Sequence, residues 1–175
     1  MNTIFEEHYL KNIRQLFLLK FPNISIDQIP NINYIIIHST QNTENLSSLL
    51  SLLTSLELIS HQKAITSKHS NKFKQIITSS NITLRNTELA NFLNIITNIF
   101  FPNIKLLQPI NYNQAIFKFS LTHNKFNPFQ FPQLQLAAQH LVKKDLSINF
   151  SIYFSSNNIE HNKFLLSSLK FPINA

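Results

Sequence analysis

The chain has 175 residues, 43% of them hydrophobic, so it is long enough to bury a real core in one domain and too apolar for wholesale disorder. Only 13% of residues are charged, and 15 Lys and Arg stand against 8 Asp and Glu; the formal charge of +7 favours polyanionic partners, either nucleic acid or an anionic membrane surface. The lack of Gly and Cys excludes glycine-rich phosphate loops, dinucleotide fingerprints, nucleophile elbows, disulfides, thiolate nucleophiles and Cys-ligated zinc.

In chain order, Phe5, Tyr9, Ile13 and Leu16 recur at helical spacing, with Lys11, Arg14 and Lys20 on other faces, and Pro22 ends that helix. The Ile-rich run from Ile32 to His38, entered through Pro30, reads as a buried strand. Leu46, Leu49, Leu50, Leu53 and Leu56 form a helical stripe, capped by Asn42 or Thr43. From Ala64 to Leu84 the residues are short, polar and β-compatible, as in a ragged hairpin. A helix follows from about Glu88 to Phe101, with Leu89, Phe92, Ile96 and Ile99 inward and Pro102 as its stop.

The second half opens with a strand from Ala115 to Leu121, where Ile116 alternates with Phe117 and Phe119, and continues through a Phe/Pro-rich loop over Phe126, Pro128, Phe129, Phe131 and Pro132. Leu146, Ile148, Phe150, Ile152 and Phe154 alternate with Ser147, Asn149, Ser151 and Tyr153, the pattern of a strand with one buried face. A last helix runs from roughly Asn158 to Leu169, before Phe171 and Pro172. Helices alternating with antiparallel-looking strands give an α+β fold, as one domain over residues 1–175.

The missing residue types share a cause. Gly is absent, Trp is absent, Val occurs once (Val142) and Arg twice (Arg14, Arg85), while Asn, Ile, Phe, Lys, Leu and Ser fill the space. Depletion of amino acids whose codons need G points to a G-poor coding strand, which implies an organelle-encoded protein of the mitochondrial matrix, with an AT-rich parasite or endosymbiont as the alternative source. Without Gly, left-handed turn positions are expected to fall to Asn. No apolar run approaches the roughly 18 residues that span a bilayer. The start carries the acidic pair Glu6 and Glu7 instead of a basic leader, so an import signal is either cleaved or not needed.

The seven His (His8, His38, His61, His69, His123, His140, His161) never pair at i, i+4 and none stands at metal-ligand spacing from a carboxylate, so no metal site or cofactor is expected. The carboxylates are scattered, and the chain reads as a non-enzyme. The basic residues are organised. Between Glu57 and Glu88 there is no acid, but Lys63, Lys68, Lys72, Lys74 and Arg85 occur there, with Phe73 between two lysines where it can stack on a base. Ser60, Thr66, Ser67, Ser70 and Asn71 can donate to phosphate oxygens. Between Glu88 and Asp145 there is again no acid, while Lys105, Lys118, Lys125, Lys143 and Lys144 appear. A solvated hairpin with lysines for solubility, and Phe73 in its core, is the plainer alternative.

Seven segments, in order along nearly the whole chain, resemble one family. Ile29-Pro30-Asn31-Ile32-Asn33-Tyr34-Ile35 is similar to its Val-Pro-x-Val-x-Lys-Ile strand entry. Gln62-Lys63-Ala64-Ile65-Thr66 after Ile59-Ser60 resembles its Ser/Thr-Gly-Gln-Lys-Pro segment. Ser70-Asn71-Lys72-Phe73-Lys74 resembles its Lys-Ser…Phe-Lys, and Ile82-Thr83-Leu84-Arg85 its Val-Thr-Leu-Arg. Phe131-Pro132-Gln133-Leu134 resembles its Phe-Pro-Glu-Ile, and Lys144-Asp145-Leu146-Ser147-Ile148 its Gly-Leu/Met-Asp-Ile. The ending from Leu165 to Ile173 is similar to Leu-Leu-x-x-Phe-x-Phe-Pro-Phe. The family is the universal large-subunit ribosomal protein number five, associated with 5S rRNA.

The resemblance implies an antiparallel β-sheet with helices packed mainly on one face, and a structural role in the central protuberance of a ribosomal large subunit, with 5S rRNA, large-subunit rRNA and neighbouring ribosomal proteins as partners. It also implies a bridge to protein number thirteen of the small-subunit head and a hairpin near peptidyl-site tRNA. On this chain the hairpin is His61–Arg85 and the bridge segment lies within Asn111–Gln130; the RNA-binding residues are Asn33, Lys63, Lys68, Ser70, Lys72, Phe73, Lys74 and Arg85. The only ion implied is magnesium held by rRNA. Departures from the family pattern are the loss of every glycine, a shorter hairpin, and Asn, Ser and Thr where it has Arg and Lys. The rival readings are a free RNA-binding module outside the ribosome, a membrane-peripheral protein using the Leu46–Leu56 helix, and an enzyme with an unrecognised site.

Overall fold

A computed structural model describes residues 9–42, 53–54, 56–57, 60–70, 76–103, 109–113, 115–122 and 147–173. Its architecture is α+β: six strands in one sheet, ordered β2-β3-β1-β6-β5-β4, with three α-helices among the described residues. The strands are β1 (Ile32–Asn42), β2 (Ile65–Ser70), β3 (Ile76–Leu84), β4 (Pro109–Asn113), β5 (Ile116–Thr122) and β6 (Ser147–Phe154), and the helices are α1 (Arg14–Lys20), α2 (Asn86–Ile95) and α3 (Ile159–Ser168). β2 pairs with β3 and β4 with β5 in antiparallel register, Ile65 opposite Asn81 and Asn113 opposite Ile116. The end of β6 meets the starts of its neighbours, Ser155 N–H donating to the Asn31 carbonyl and Phe154 N–H to that of Ala115, so those pairings are antiparallel too.

By compactness the chain divides into two units, one of residues 1–35, 85–119 and 152–175, the other of 36–84 and 120–151. In the first, Ile35, Phe117, Phe119, Ile152 and Phe154 turn one sheet face inward. The helical segments cover that face: Leu89, Ala90, Phe92 and Leu93 of α2 and Leu165 and Leu166 of α3 are buried, and Phe119 meets Phe101 and Phe171 with ring centroids 6.5 and 6.4 Å apart. α1 packs through Phe17, which is fully buried against Phe21, His161 and Phe164 at 5.1–5.5 Å. In the second unit Ile37, Leu56, Ile82, Leu84, Ile148 and Phe150 form the apolar core, with Ser39, Ser60, Ser79 and Ser80 buried among them.

Several expectations shift. Leu16 does not face inward: it is 50% exposed, and Phe17 takes its place, because five apolar residues crowd Ile13–Leu19 and leave the period ambiguous. The Ile-rich strand extends to Asn42 and is half-buried instead of buried, since only Ile35, Ile37 and Ser39 point to the core. α2 begins at Asn86, two residues before Glu88, and continues as a π-helical turn over Ile96–Phe100 and a 3₁₀ turn over Phe101–Asn103. The strand β4 was not anticipated. Leu46, Leu49, Leu50, Ile99 and the Phe126–Pro132 loop fall outside the residues whose side chains are described, but Leu53, Thr54, Leu56, Glu57 and Ser60 are helical, with Leu56 buried.

Left-handed backbone positions do not all fall to Asn. Among the described residues they are His61 (φ 54°), Asn86 (φ 49°) and Lys170 (φ 61°). Lys170 closes α3: its N–H donates to the Ser167 carbonyl and that of Phe171 to the Leu166 carbonyl, a Schellman ending whose left-handed residue is ordinarily Gly. His61 follows the helical residues ending at Ser60 and donates its N–H to the Glu57 carbonyl. The helix ends set these positions, and with no Gly in the chain the residue that happens to stand there takes the strain.

A candidate nucleic-acid surface on the hairpin and the open strand faces

The hairpin begins with a braced turn. Ser60 Oγ donates to the Leu56 carbonyl and accepts from Gln62 N–H, while Glu57 Oε1 accepts from Ala64 N–H at 3.0 Å. The acid that opens the carboxylate-free stretch is thus engaged as a backbone acceptor. Glu88 stands in the first turn of α2, where a carboxylate complements the helix dipole. The intervening cations are left as the dominant local charge.

From that turn, Lys63 and Lys68 project as exposed side chains, and Ser70 closes β2 opposite Ile76. β2 is an outer strand of the sheet, and the middle of its pairing with β3 is polar: Thr66 faces Ser80, Lys68 faces Thr78, and Ser67 Oγ is hydrogen-bonded to Ser79 Oγ at 2.6 Å. The Ser67–Ser79 pair adds a cross-strand hydroxyl contact to the backbone ladder. On β1, His38 donates through Nδ1 to Oδ1 of Asn81 on β3. Lys72, Phe73 and Lys74 lie outside the described residues, as do residues 123–130 of the expected bridge segment; Asn111–Asn113 form part of β4.

In the other unit, Arg85 follows β3 as an exposed residue at the N-cap of α2 and lies over the ring of Tyr34, its Cζ 5.5 Å from the centroid. Tyr34 in turn stacks on Tyr153, with centroids 4.4 Å apart and planes 20° from parallel. Both tyrosines are half-buried and occupy the strand positions that alternate with core residues: Tyr34 beside Ile35 on β1, and Tyr153 between Ile152 and Phe154 on β6. Lys118 is exposed between the buried Phe117 and Phe119 of β5 and so takes that same outward set of positions. Asn33, also exposed, precedes Tyr34 and by alternation points to the opposite side of β1 from it; the fold does not join it to Arg85.

Sequence reasoning therefore found Arg85 and missed its two ring partners. The available signal was an aromatic residue at an outward position of an alternating strand, where Asn149 and Ser151 set the polar norm. Chemically, the described residues offer phosphate neutralisation by exposed Lys and Arg, neutral hydrogen bonding by Ser, Thr and Asn, and aromatic faces. Among the described residues no three His, Asp or Glu cluster as metal ligands, and no helix is long and apolar enough to cross a membrane. In comparison with known proteins, the chain matches no protein-family profile and no curated protein sequence.

Proposed function

We propose that the chain is a structural, rRNA-binding constituent of a mitochondrial ribosomal large subunit, seated in the central protuberance and performing no catalysis. What carries this reading is the placement of the family-like segments at element boundaries. Ile29–Ile35 leads into β1, Gln62–Thr66 into β2, Ile82–Arg85 out of β3, Lys144–Ile148 into β6, and Leu165–Ile173 out of α3. A sheet of antiparallel strands with a cationic outer hairpin supports it further.

In this reading Lys63, Lys68, Lys72, Lys74 and Arg85 neutralise rRNA phosphates, Ser70 and Asn33 donate neutral hydrogen bonds, and Phe73 stacks or wedges against RNA. 5S rRNA and large-subunit rRNA are the principal partners, with neighbouring ribosomal proteins around them. The Asn111–Gln130 segment meets protein number thirteen of the small-subunit head, and the hairpin approaches peptidyl-site tRNA. No protein-bound cofactor is required; magnesium belongs to the rRNA.

The test is charge reversal within the hairpin segment. A Lys72→Glu, Lys74→Glu double variant is expected to fold, by circular dichroism, and to fail to enter the large subunit. Normal incorporation of that variant removes the phosphate-neutralising role of the pair.

A further inference from the structure

We propose that Tyr34 and Tyr153 form a stacking platform for one unpaired nucleobase, with Arg85 as the cation that attracts the phosphates of the same strand. The proposal rests on the RNA-binding reading above and adds to it a base-contacting site that the charge pattern does not reveal.

The first argument is placement. The large aromatic residues that build the core, Phe17, Phe117, Phe119 and Phe150, are at most 1% exposed. Tyr34 and Tyr153 are instead half-buried on the outward positions of β1 and β6, Tyr34 between the half-buried Ile32 and Ile36 and Tyr153 next along its face to the polar Ser151. Rings left partly exposed at such positions present aromatic surface to a flat ligand. A nucleobase is such a ligand, and stacking on it tolerates any sequence because every base has a π-face.

The second argument is Arg85. A cross-strand tyrosine pair stabilises a sheet on its own account, and that would explain the 4.4 Å contact of the two rings. It does not explain why one of only two arginines in a chain that otherwise uses lysine stands over Tyr34, at 5.5 Å and exposed to solvent. Arg differs from Lys in having a planar, delocalised fork that lies on an aromatic face while its N–H groups remain directed outward to grip a phosphate in two places. The guanidinium thus contacts Tyr34, and Tyr34 stacks on Tyr153, which places one cation and two aromatic rings together. Among the described residues, Tyr34 is the only ring in contact with Tyr153. A base stacked on the tyrosine pair extends the aromatic contact, and the Arg85 cation beside the pair attracts the phosphates of the same strand.

The experiment uses the full chain and a single-stranded RNA of nine nucleotides with 2-aminopurine at its centre. Anisotropy reports affinity and its salt dependence, and 2-aminopurine emission reports stacking. The wild-type chain is expected to bind and to quench the emission. Tyr153→Leu and Tyr34→Leu should each weaken binding by about 5- to 100-fold and abolish quenching, whereas Tyr153→Phe should restore both. Arg85→Lys should keep the salt dependence and lose part of the quenching, and Lys63→Glu should lose affinity with quenching intact at saturation. Circular dichroism checks that the leucine variants fold; if they do not, Tyr153→Phe with Arg85→Lys carries the test. RNA binding without quenching, or leucine variants that bind and quench like wild type, overturns the platform and leaves the RNA-binding reading standing. Absence of RNA binding at low salt overturns both.

Discussion

The β2–β3 hairpin and the α1–α3 contact are drawn from the same restricted alphabet and use it in opposite ways. In the hairpin, the central pairs are Thr66 with Ser80, Ser67 with Ser79 and Lys68 with Thr78, and the apolar residue at its start, Ile65, is 75% exposed. At the α1–α3 contact, Phe17, Phe21, Phe164 and His161 interlock with centroids 4.7–5.7 Å apart, and the Lys20 ammonium sits 4.3 Å over the Phe164 ring. One region is held by hydrogen bonds between backbones and hydroxyls, the other by packed aromatic area. With only 13% charged residues, this chain fills its described core with Phe, Ile and Leu and sets Ser, Thr and Lys in the middle of the hairpin.

If that contrast is sound, substitutions should differ in cost by region. The largest effect is expected from Phe17→Ala, which empties a fully buried site touching three rings and should cost about 3–5 kcal/mol in chemical denaturation. A loss below about 1 kcal/mol would mean that the aromatic cluster is not a packed core. Next is Asn158→Ala, which removes the side chain that accepts from Glu160 N–H at the start of α3; a loss of about 1 kcal/mol should appear as a lowered denaturation midpoint.

Lys170→Gly should act in the opposite sense, raising stability by about 1 kcal/mol, because Gly adopts the left-handed conformation at no steric cost. A destabilised Lys170→Gly variant would show that the lysine contributes more by contact than it loses by strain. The smallest change belongs to the hairpin. Replacing both hydroxyl partners, Ser67→Ala with Ser79→Ala, should alter stability by less than about 1 kcal/mol, since removing both members of a hydrogen bond leaves neither unpaired. A large loss there would erase the distinction between the two regions.

How far the sequence foretold this fold depended on how clean each local period was. β6 was legible residue by residue: Ile148, Phe150, Ile152 and Phe154 alternate with polar residues and all are buried. α2 showed its inward face through Leu89, Phe92 and Ile96, and Asn158 and Leu169 bounded α3 closely. The short α1 did not, because Leu16, Phe17, Leu18 and Leu19 are all apolar and packing alone chose among them. β4 is five residues long, starts at a proline and has no alternation to read. In the candidate surface, the exposure of Lys63, Lys68 and Arg85 followed from their charge. The contacts of Tyr34 with Arg85 and with Tyr153 join three strand ends remote in sequence, and only strand order brings them together.

The central claim is tested most directly by sedimenting an organelle lysate on a gradient at moderate magnesium and probing each fraction for this chain. Comigration with the large subunit, and release only at high salt, is the predicted result, since a protein held by several phosphate contacts dissociates steeply as salt rises. A position at the top of the gradient, away from both subunits, would contradict the ribosomal reading and put a free RNA-binding module in its place.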